Sequence, residues 1–194
     1  LIKYYIRNLY NGRCPIYKIL PVGGWAETIR FTENAVGYII PNNTQVFAML
    51  DFDVQPQLQA IQAKAIRTSK EQEQLDLYNN NIARVKFLPI TPELGIVDLL
   101  TNNPQNHFQP MQDHFNGVFD IGEIIHEEAN RPGVTYPPNQ RKAAKMRLDY
   151  YIERIKMATN RDYNYIRIKL AEYYANNYCP ANHAQLRQLF NPIF

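Results

Sequence analysis

The chain has 194 residues, of which 45% are hydrophobic, and a formal net charge of +3 at pH 7. This length and composition favour one globular domain with a hydrophobic core, or one compact domain with an appended helical part. No apolar run approaches the roughly 18 residues of a membrane-spanning helix, so we expect no membrane association.

The cysteines and the N-terminus bear on where the protein acts. Cys14 and Cys179 lie too far apart to indicate a disulfide framework or a metal cluster, which fits a reducing cytoplasm. The chain begins at Leu1, with neither an initiator Met nor a signal peptide. We therefore expect a cytoplasmic protein and a sequence that is part of a longer chain.

Helical and strand patterns alternate along the first quarter of the chain. Five consecutive apolar residues, Val46 to Leu50, are typical of a strand that is buried on both faces. An α-β-α-β order predicts a parallel sheet with crossover helices, and a strand before the first helix. The predicted elements are a helix over 1–11 that ends at Asn11-Gly12, a strand over 16–22, a helix over about 25–38, a turn at 41–44 and a strand over 46–50.

The predicted buried strand ends on two carboxylates, Asp51 and Asp53. Side chains alternate along an extended backbone, so this spacing predicts that both point the same way. Carboxylates at the carboxyl end of a strand are typical of ligand sites in α/β sheets, and a divalent cation relieves their repulsion. Three interpretations stay open: a solvent-exposed turn, a magnesium site for phosphodiester chemistry, and an aspartyl phosphatase of the haloacid dehalogenase type.

Beyond the aspartates the pattern becomes mainly helical. Thr91-Pro92-Glu93 is typical of a helix start, with Thr as the cap and Pro at the first position. The predicted elements are one or two exposed helices over 57–81, a strand over 82–88, a helix from about 91, a loop over 102–107, a helix over 118–128, a proline-rich break over 131–138 and helices to the C-terminus.

Basic residues are in excess in the last third of the chain. Nine Lys or Arg residues against three Asp or Glu lie between Arg141 and Lys169. Arg141 and Lys145 share a helix face, next to Lys142, and this face is either solvated or binds phosphates. His126 has no second His at helical spacing, which predicts a surface residue rather than a metal ligand.

Three motifs in order resemble the Toprim domain, in the version found in OLD-family (overcoming lysogenization defect) nucleases. They are Pro21-Val22-Gly23-Gly24, Met49-Leu50-Asp51-Phe52-Asp53 and Phe87-Leu88-Pro89. The resemblance covers about residues 1–100. It implies an α/β fold, a Toprim-like parallel sheet flanked by helices over 1–101 with a polar helical insertion at about 57–81, and a helical C-terminal part over 102–194. The Glu after the first Toprim strand has no counterpart here, and we expect it upstream of Leu1.

The resemblance also implies an activity. It implies a Mg²⁺- or Mn²⁺-dependent endonuclease acting on DNA or RNA, linked to an ATPase domain or subunit in a defence system. No P-loop occurs in this sequence, so the ATPase would lie elsewhere. The implied metal ligands are Asp51, Asp53, Glu93 and Asp98, although Glu93 also suits a plain helix-capping acid. The implied nucleic-acid contacts are Gly23, Gly24, Arg141, Lys142 and Lys145, with Lys145 also catalytic beside the aspartates.

Two other functions remain open. A non-catalytic module of the same fold would bind nucleic acid or a partner, because a fold does not fix its chemistry. The 14 tyrosines would suit a protein interface, including one in a homo-oligomer, although several lie on apolar stripes typical of a core. A haloacid-dehalogenase-like phosphatase is less favoured because the later strand ends at Phe87-Leu88-Pro89 without paired acids.

Overall fold

The structure, a computed structural model, describes residues 1–10, 18–38 and 44–191. These ranges contain ten α-helices and two three-residue β-strands. The elements are α1 (Ile2–Leu9), α2 (Trp25–Tyr38), β1 (Ala48–Leu50), α3 (Val54–Gln62), α4 (Ser69–Asn80), β2 (Val85–Phe87), α5 (Pro92–Thr101), α6 (Phe108–Phe115), α7 (Ile121–Ala129), α8 (Gln140–Thr159), α9 (Tyr163–Ala181) and α10 (His183–Phe190).

The predicted Toprim-like parallel sheet flanked by helices is wrong. β1 and β2 pair in parallel, with Ala48 opposite Val85, and no third strand joins them in the described ranges. The expected strand before the glycines is absent from residues 18–22, where Ile19 and Leu20 are 42% and 48% exposed. The rest of that strand, the end of the first helix and most of the predicted turn lie outside the described residues.

Helices provide the burial that the prediction assigned to neighbouring strands. Ala48 and Leu50 of β1 pack in one core with Ile29 of α2 and with Val54 and Leu58 of α3. A three-residue strand buries two side chains on one face, and these helices cover that face. The continuous apolar run at 46–50 therefore reflects a helix-covered strand at the edge of a two-stranded sheet.

Several helices begin where their capping residues predict. Thr68 accepts from the Glu71 amide, and the Glu71 carboxylate accepts from the Thr68 amide, which together form a capping box before α4. Asn139 and Asp162 cap α8 and α9 through single side-chain acceptors. Asn160 has a φ of 53° and ends α8 in the left-handed region. These capping residues therefore determine where α8 and α9 begin and where α8 ends.

The helix at 25–38 and the start of α5 at Pro92 are confirmed, and the described residues beyond 102 contain five α-helices, α6 to α10. The polar segment predicted at 57–81 contains α3 and α4. The predicted strand at 82–88 shortens to β2, because residues 82–84 form a 3₁₀ turn. The predicted loop over 102–107 ends in a 3₁₀ turn, and the sequence missed α6.

The chain divides into two compact units. The helical unit contains α1 and Pro92–His183; the sheet unit contains the described residues from 18 to 91 and from 184 to 191. In the helical unit, α5 packs on α8 and α9, and α1 packs on α9. The predicted apolar stripes of its two long helices are buried, as expected. They are Leu148, Tyr151, Ile152 and Ile155 in α8, and Ile166, Leu170, Tyr173 and Tyr174 in α9.

Candidate metal and nucleic-acid site

Asp51 and Asp53 lie where β1 turns into α3. The strand ends at Leu50, and the Leu50 carbonyl accepts from the amide of Leu88, just beyond β2. Both carboxylates are half-buried. The Val54 amide donates to the Asp51 carbonyl at 3.2 Å and the Gln55 amide to the Phe52 carbonyl at 3.1 Å, which makes a tight turn. The two acids therefore follow the carboxyl end of a strand directly, as the sequence predicts.

The strand alternation does not extend to Asp53. Its backbone is helical, with φ −68° and ψ −10°, and it is the residue before α3. Gln57, one turn into the helix, donates to the Asp53 carbonyl at 3.0 Å and to its carboxylate at 3.4 Å. The turn, rather than the pleat of a strand, thus sets where the two side chains point. A carboxylate at this end of α3 also interacts favourably with the helix dipole.

Gly23 and Gly24 precede α2 in the sheet unit. Gly23 has a φ of 135°, a conformation that favours glycine, and it is exposed. A Cβ at Gly24 would lie 2.5 Å from the Glu27 carboxylate, which reaches back over the chain there. The Gly24 carbonyl accepts from the Thr28 amide and hydroxyl, both at 2.9 Å. These contacts give both glycines a local role in starting α2, and their contact with nucleic acid stays a prediction.

Glu93 and Asp98 belong to the helical unit, whereas Asp51 and Asp53 belong to the sheet unit. Glu93 lies in the first turn of α5, where an acid suits the helix dipole. Asp98 lines a cleft of about 340 Å³ between α5 and α8, with Gln140 and Arg147 opposite. Partial burial raises the pKa of Asp98, although the Arg147 guanidinium opposes that shift. The helix dipole therefore accounts for Glu93, and the nearby Arg147 accounts for Asp98, without a metal ion.

The described ranges contain no group of three or more His, Cys, Asp or Glu side chains that could hold a metal ion. The four predicted ligands therefore do not form one cluster. A metal in this structure would depend on Asp51 and Asp53.

The three basic residues of α8 that the sequence assigns to nucleic acid, Arg141, Lys142 and Lys145, lie in its first two turns. Asn139 caps the helix by accepting from the Lys142 amide at 2.9 Å. Lys142 and Lys145 are exposed, Arg141 is half-buried, and the first turn carries no acid. The helix dipole is positive in the first turn, where Arg141 and Lys142 lie, and Lys145 lies one turn further along. An anion at this end would interact favourably with the dipole and with the two exposed lysines.

Sequence reasoning missed a cleft beside the aspartate turn. This aromatic cleft, of about 370 Å³, is lined by Leu88, Pro89 and Leu189 together with polar and aromatic residues. Phe52, the residue between the two aspartates, is 45% exposed there. The sequence pattern that could have indicated this cleft is the alternation at 82–88, because a strand with large side chains on both faces can line a surface cleft as well as a core. Its other lining residues are Phe52, Gln55, Lys86, Phe87, Gln185 and Gln188.

Sequence reasoning also missed a buried carboxylate, Glu128 of α7, which is 2% exposed. It accepts from the hydroxyl groups of Tyr136 and, at 3.4 Å, Tyr151, and lies 3.7 Å from Arg147 Nε. The signal was present: Ile121, Ile124, Ile125 and Glu128 lie at helical spacing on one stripe, which places an acid on the buried face. A buried charge needs such partners, so this network is structural.

Two expectations concern exposure and membranes. His126 of α7 is exposed on the helix surface, which confirms the prediction for that residue. None of the helices in the described parts of the chain has the length and hydropathy needed to cross a membrane.

Comparisons with protein-family models, with curated proteins and with solved structures found no match for this chain. The aspartate turn, the aromatic cleft and the basic end of α8 are therefore interpreted from their own chemistry.

Proposed function

We propose that this protein is a metal-dependent nuclease that cleaves phosphodiester bonds, with Asp51 and Asp53 as its metal-binding carboxylates. One observation carries the proposal. Two half-buried acids follow the carboxyl end of β1, in a pair of parallel strands connected through α3 and α4. The carboxyl ends of parallel strands are where α/β proteins bind ligands.

The chemistry of these side chains fits a magnesium or manganese ion. Mg²⁺ is commonly held through one or two carboxylates and otherwise keeps water or substrate phosphates, so Asp51 and Asp53 are a sufficient protein contribution. When bound, such a metal supplies an activated water and charge stabilisation at the leaving oxygen. The tight turn at Phe52 keeps both carboxylates next to β1, and Gln57 restrains the carboxylate of Asp53.

The basic end of α8 supports nucleic acid as the substrate class. Arg141, Lys142 and Lys145 lie within the first two turns of α8, where the two lysines are exposed, and a phosphate backbone is the kind of anion that such a group of cations binds. Work with an ATPase, as the Toprim resemblance implies, is part of this proposal. Lys145 belongs to the helical unit and the aspartates to the sheet unit, and its catalytic role stays an expectation from the resemblance alone. Cys179, a buried free thiol, supports a reducing cytoplasm as the site of action.

The test is to change Asp51 or Asp53 to Asn in the full-length protein. Cleavage of DNA and RNA with Mg²⁺ or Mn²⁺ should fall on the order of 10²-fold or more, because an anionic metal ligand is lost. The free energy of unfolding without metal should stay within about 1 kcal/mol of the wild type, because Asn keeps the side-chain size and an accepting oxygen, and a lost dipole interaction is worth no more than that. Added metal should raise the melting temperature of the wild type more than that of either variant.

Asp76→Asn is the matched control, because Asp76 is an exposed acid on α4 in the same unit. It should cleave and melt like the wild type. An Asp51 or Asp53 variant that cleaves normally would end the nuclease assignment for this site. A variant that unfolds would show that the pair is structural. Nucleic-acid binding without cleavage by the wild type would identify a non-catalytic binding module instead.

A further inference from the structure

The aromatic cleft lies next to the aspartate turn and has a distinctive chemistry. Its volume of about 370 Å³ is at the lower end of the range of small-ligand pockets. Among its described lining residues, Lys86 is the charged side chain and no carboxylate is present. Asp51 and Asp53 flank Phe52 outside this lining, so the surface matches an occupant with a flat apolar face on Phe52 and one phosphate directed toward Lys86.

Phe52 provides an exposed aromatic ring to the lining of the cleft. It is 45% exposed, although it belongs to a tight turn whose two backbone hydrogen bonds, at 3.2 and 3.1 Å, fix its backbone. Phe87 also lines the cleft, but its ring packs against the core beside Tyr78, with 6.2 Å between the two ring centroids, so Phe52 is the ring available for stacking. An exposed aromatic ring on a rigid turn is the kind of platform on which an unpaired nucleobase stacks.

Three amide side chains surround these rings. Gln55 lies in the first turn of α3, and Gln185 and Gln188 lie on α10. An amide both donates and accepts hydrogen bonds, so it can pair with the edge of any base. Lys86 Nζ lies 5.8 Å from the centroid of the Phe47 ring and adds a donor for phosphate.

We infer that the aromatic cleft binds a nucleotide of single-stranded nucleic acid, with its base on Phe52, its base edge against the glutamines and its phosphate toward Lys86. The inference rests on the proposed function for nucleic acid as the ligand, and it adds that this nucleic acid is single-stranded. A base pair within a duplex hides both faces of each base in the stack, so stacking on Phe52 requires an unpaired strand.

The test measures binding by the full-length protein in EDTA, where metal-dependent cleavage is absent. The probes are fluorescent oligodeoxythymidylate, fluorescent oligouridylate and a fluorescent DNA hairpin without an extended single strand, followed by anisotropy. Phe52→Ala should weaken binding of either single strand by about 5- to 150-fold, the effect of losing one stacked base. Binding of the hairpin should be weaker in the wild type and little changed in the variant.

Two further variants make the result specific to stacking. Phe52→Tyr keeps a ring and should bind single strands as the wild type does. Ile66→Ala removes a side chain that is 89% exposed in the same unit, and should leave binding unchanged. Wild-type affinity in Phe52→Ala, or equal binding of hairpin and single strand, would overturn the inference. Competition by an apolar peptide but not by unlabelled oligonucleotide would overturn it in favour of a protein partner.

Failure of this inference is distinguishable from failure of the proposed function. If the Asn variants at Asp51 and Asp53 lose cleavage while Phe52→Ala binds normally, the nuclease stands and the cleft inference falls. If Phe52 controls binding while the wild type cleaves nothing, the nuclease falls and a single-strand-binding cleft stands.

Discussion

At the scale of single residues, Gly95 of α5 lies so close to Tyr174 of α9 that a larger side chain at position 95 should lower the stability of the protein. A Cβ at Gly95 would lie 2.5 Å from the Tyr174 hydroxyl oxygen and 2.6 Å from the ring carbon that bears it. Tyr174 is 2% exposed, so its ring has little room to move. Glycine is therefore needed inside a helix, where its propensity is poor.

We predict that Gly95→Ala destabilises the protein by about 1–3 kcal/mol, as overpacking does. Helix propensity alone predicts the opposite sign, a gain of up to about 1 kcal/mol. Chemical denaturation would measure the change. In a Tyr174→Ala background the same substitution should cost less, because its obstacle is gone. A Gly95→Ala variant that melts above the wild type would contradict the close packing of these two helices.

The predictable part of the candidate site is its residue types and their place in the chain. Asp51 and Asp53 were recognisable because a carboxylate pair followed an apolar run, and the run does form a strand. Their orientation was not predictable from alternation. Where β1 stops depends on the turn at Phe52 and the start of α3, which a strand pattern does not contain.

At the scale of elements, helices with local signals were predictable and short elements were not. Thr91-Pro92 marked the start of α5 in the sequence, and the structure adds caps at Asn139 and Asp162 where α8 and α9 begin. α6 was missed because it is eight residues long and contains Pro110. The proline is tolerated there because it lies in the first turn, where its missing amide has no helical partner.

The packing of α6 against α9 contains a histidine whose titration should affect stability. His114 Nε2–H donates to the Lys169 carbonyl at 2.9 Å, and its ring lies against Phe115 and Tyr173. The charged groups that face it are Lys169 and Glu172, the latter 4.0 Å away. Burial lowers the pKa of His114, and Lys169 adds to the effect, while the Lys169 carbonyl and Glu172 oppose it.

The unfolded chain therefore takes up this proton at a higher pH than the folded protein does. The stability that neutral His114 contributes is present above its ordinary pKa of about 6.5 and is lost as the pH falls through the lower, folded value. We predict that His114→Gln flattens the loss of unfolding free energy below pH 6.5. The difference in slope should not exceed about 1.4 kcal/mol per pH unit, the limit for one proton.

Denaturant unfolding at a series of pH values measures that slope. His126→Gln is the matched control, because His126 is an exposed histidine on α7 in the same unit, and it should keep the wild-type slope. If the unfolding free energy of His114→Gln changed with pH as steeply as that of the wild type, the pKa of His114 would not be lowered by its burial between these helices.

At the scale of the whole molecule, the sequence did not determine what covers the apolar strand. A run such as Val46 to Leu50 requires burial, and the local pattern is the same whether strands or helices provide it. In the structure α2 and α3 provide it, so the motifs that resemble a Toprim domain occur with a two-stranded sheet. Pairing partners are non-local, and a single sequence with matching short motifs leaves them open.

The basic residues at the start of α8 should affect how strongly the whole protein binds nucleic acid and how that binding depends on salt. Changing Arg141, Lys142 and Lys145 together to Ala should weaken binding of single-stranded DNA and RNA and flatten its dependence on salt. Each phosphate contact releases counterions, and each contributes about 0.7 to the slope of log affinity against log salt for a single strand. Loss of all three contacts should therefore reduce the slope by about 2.

A control with the same change in net charge separates phosphate contact from general attraction. Lys3, Arg161 and Arg167 are exposed cations elsewhere in the helical unit, and changing all three to Ala removes the same charge. If contact matters, this control should lose much less affinity and keep most of the wild-type slope. Equal slopes in the two triple variants would return the basic end of α8 to an ordinary solvated helix face.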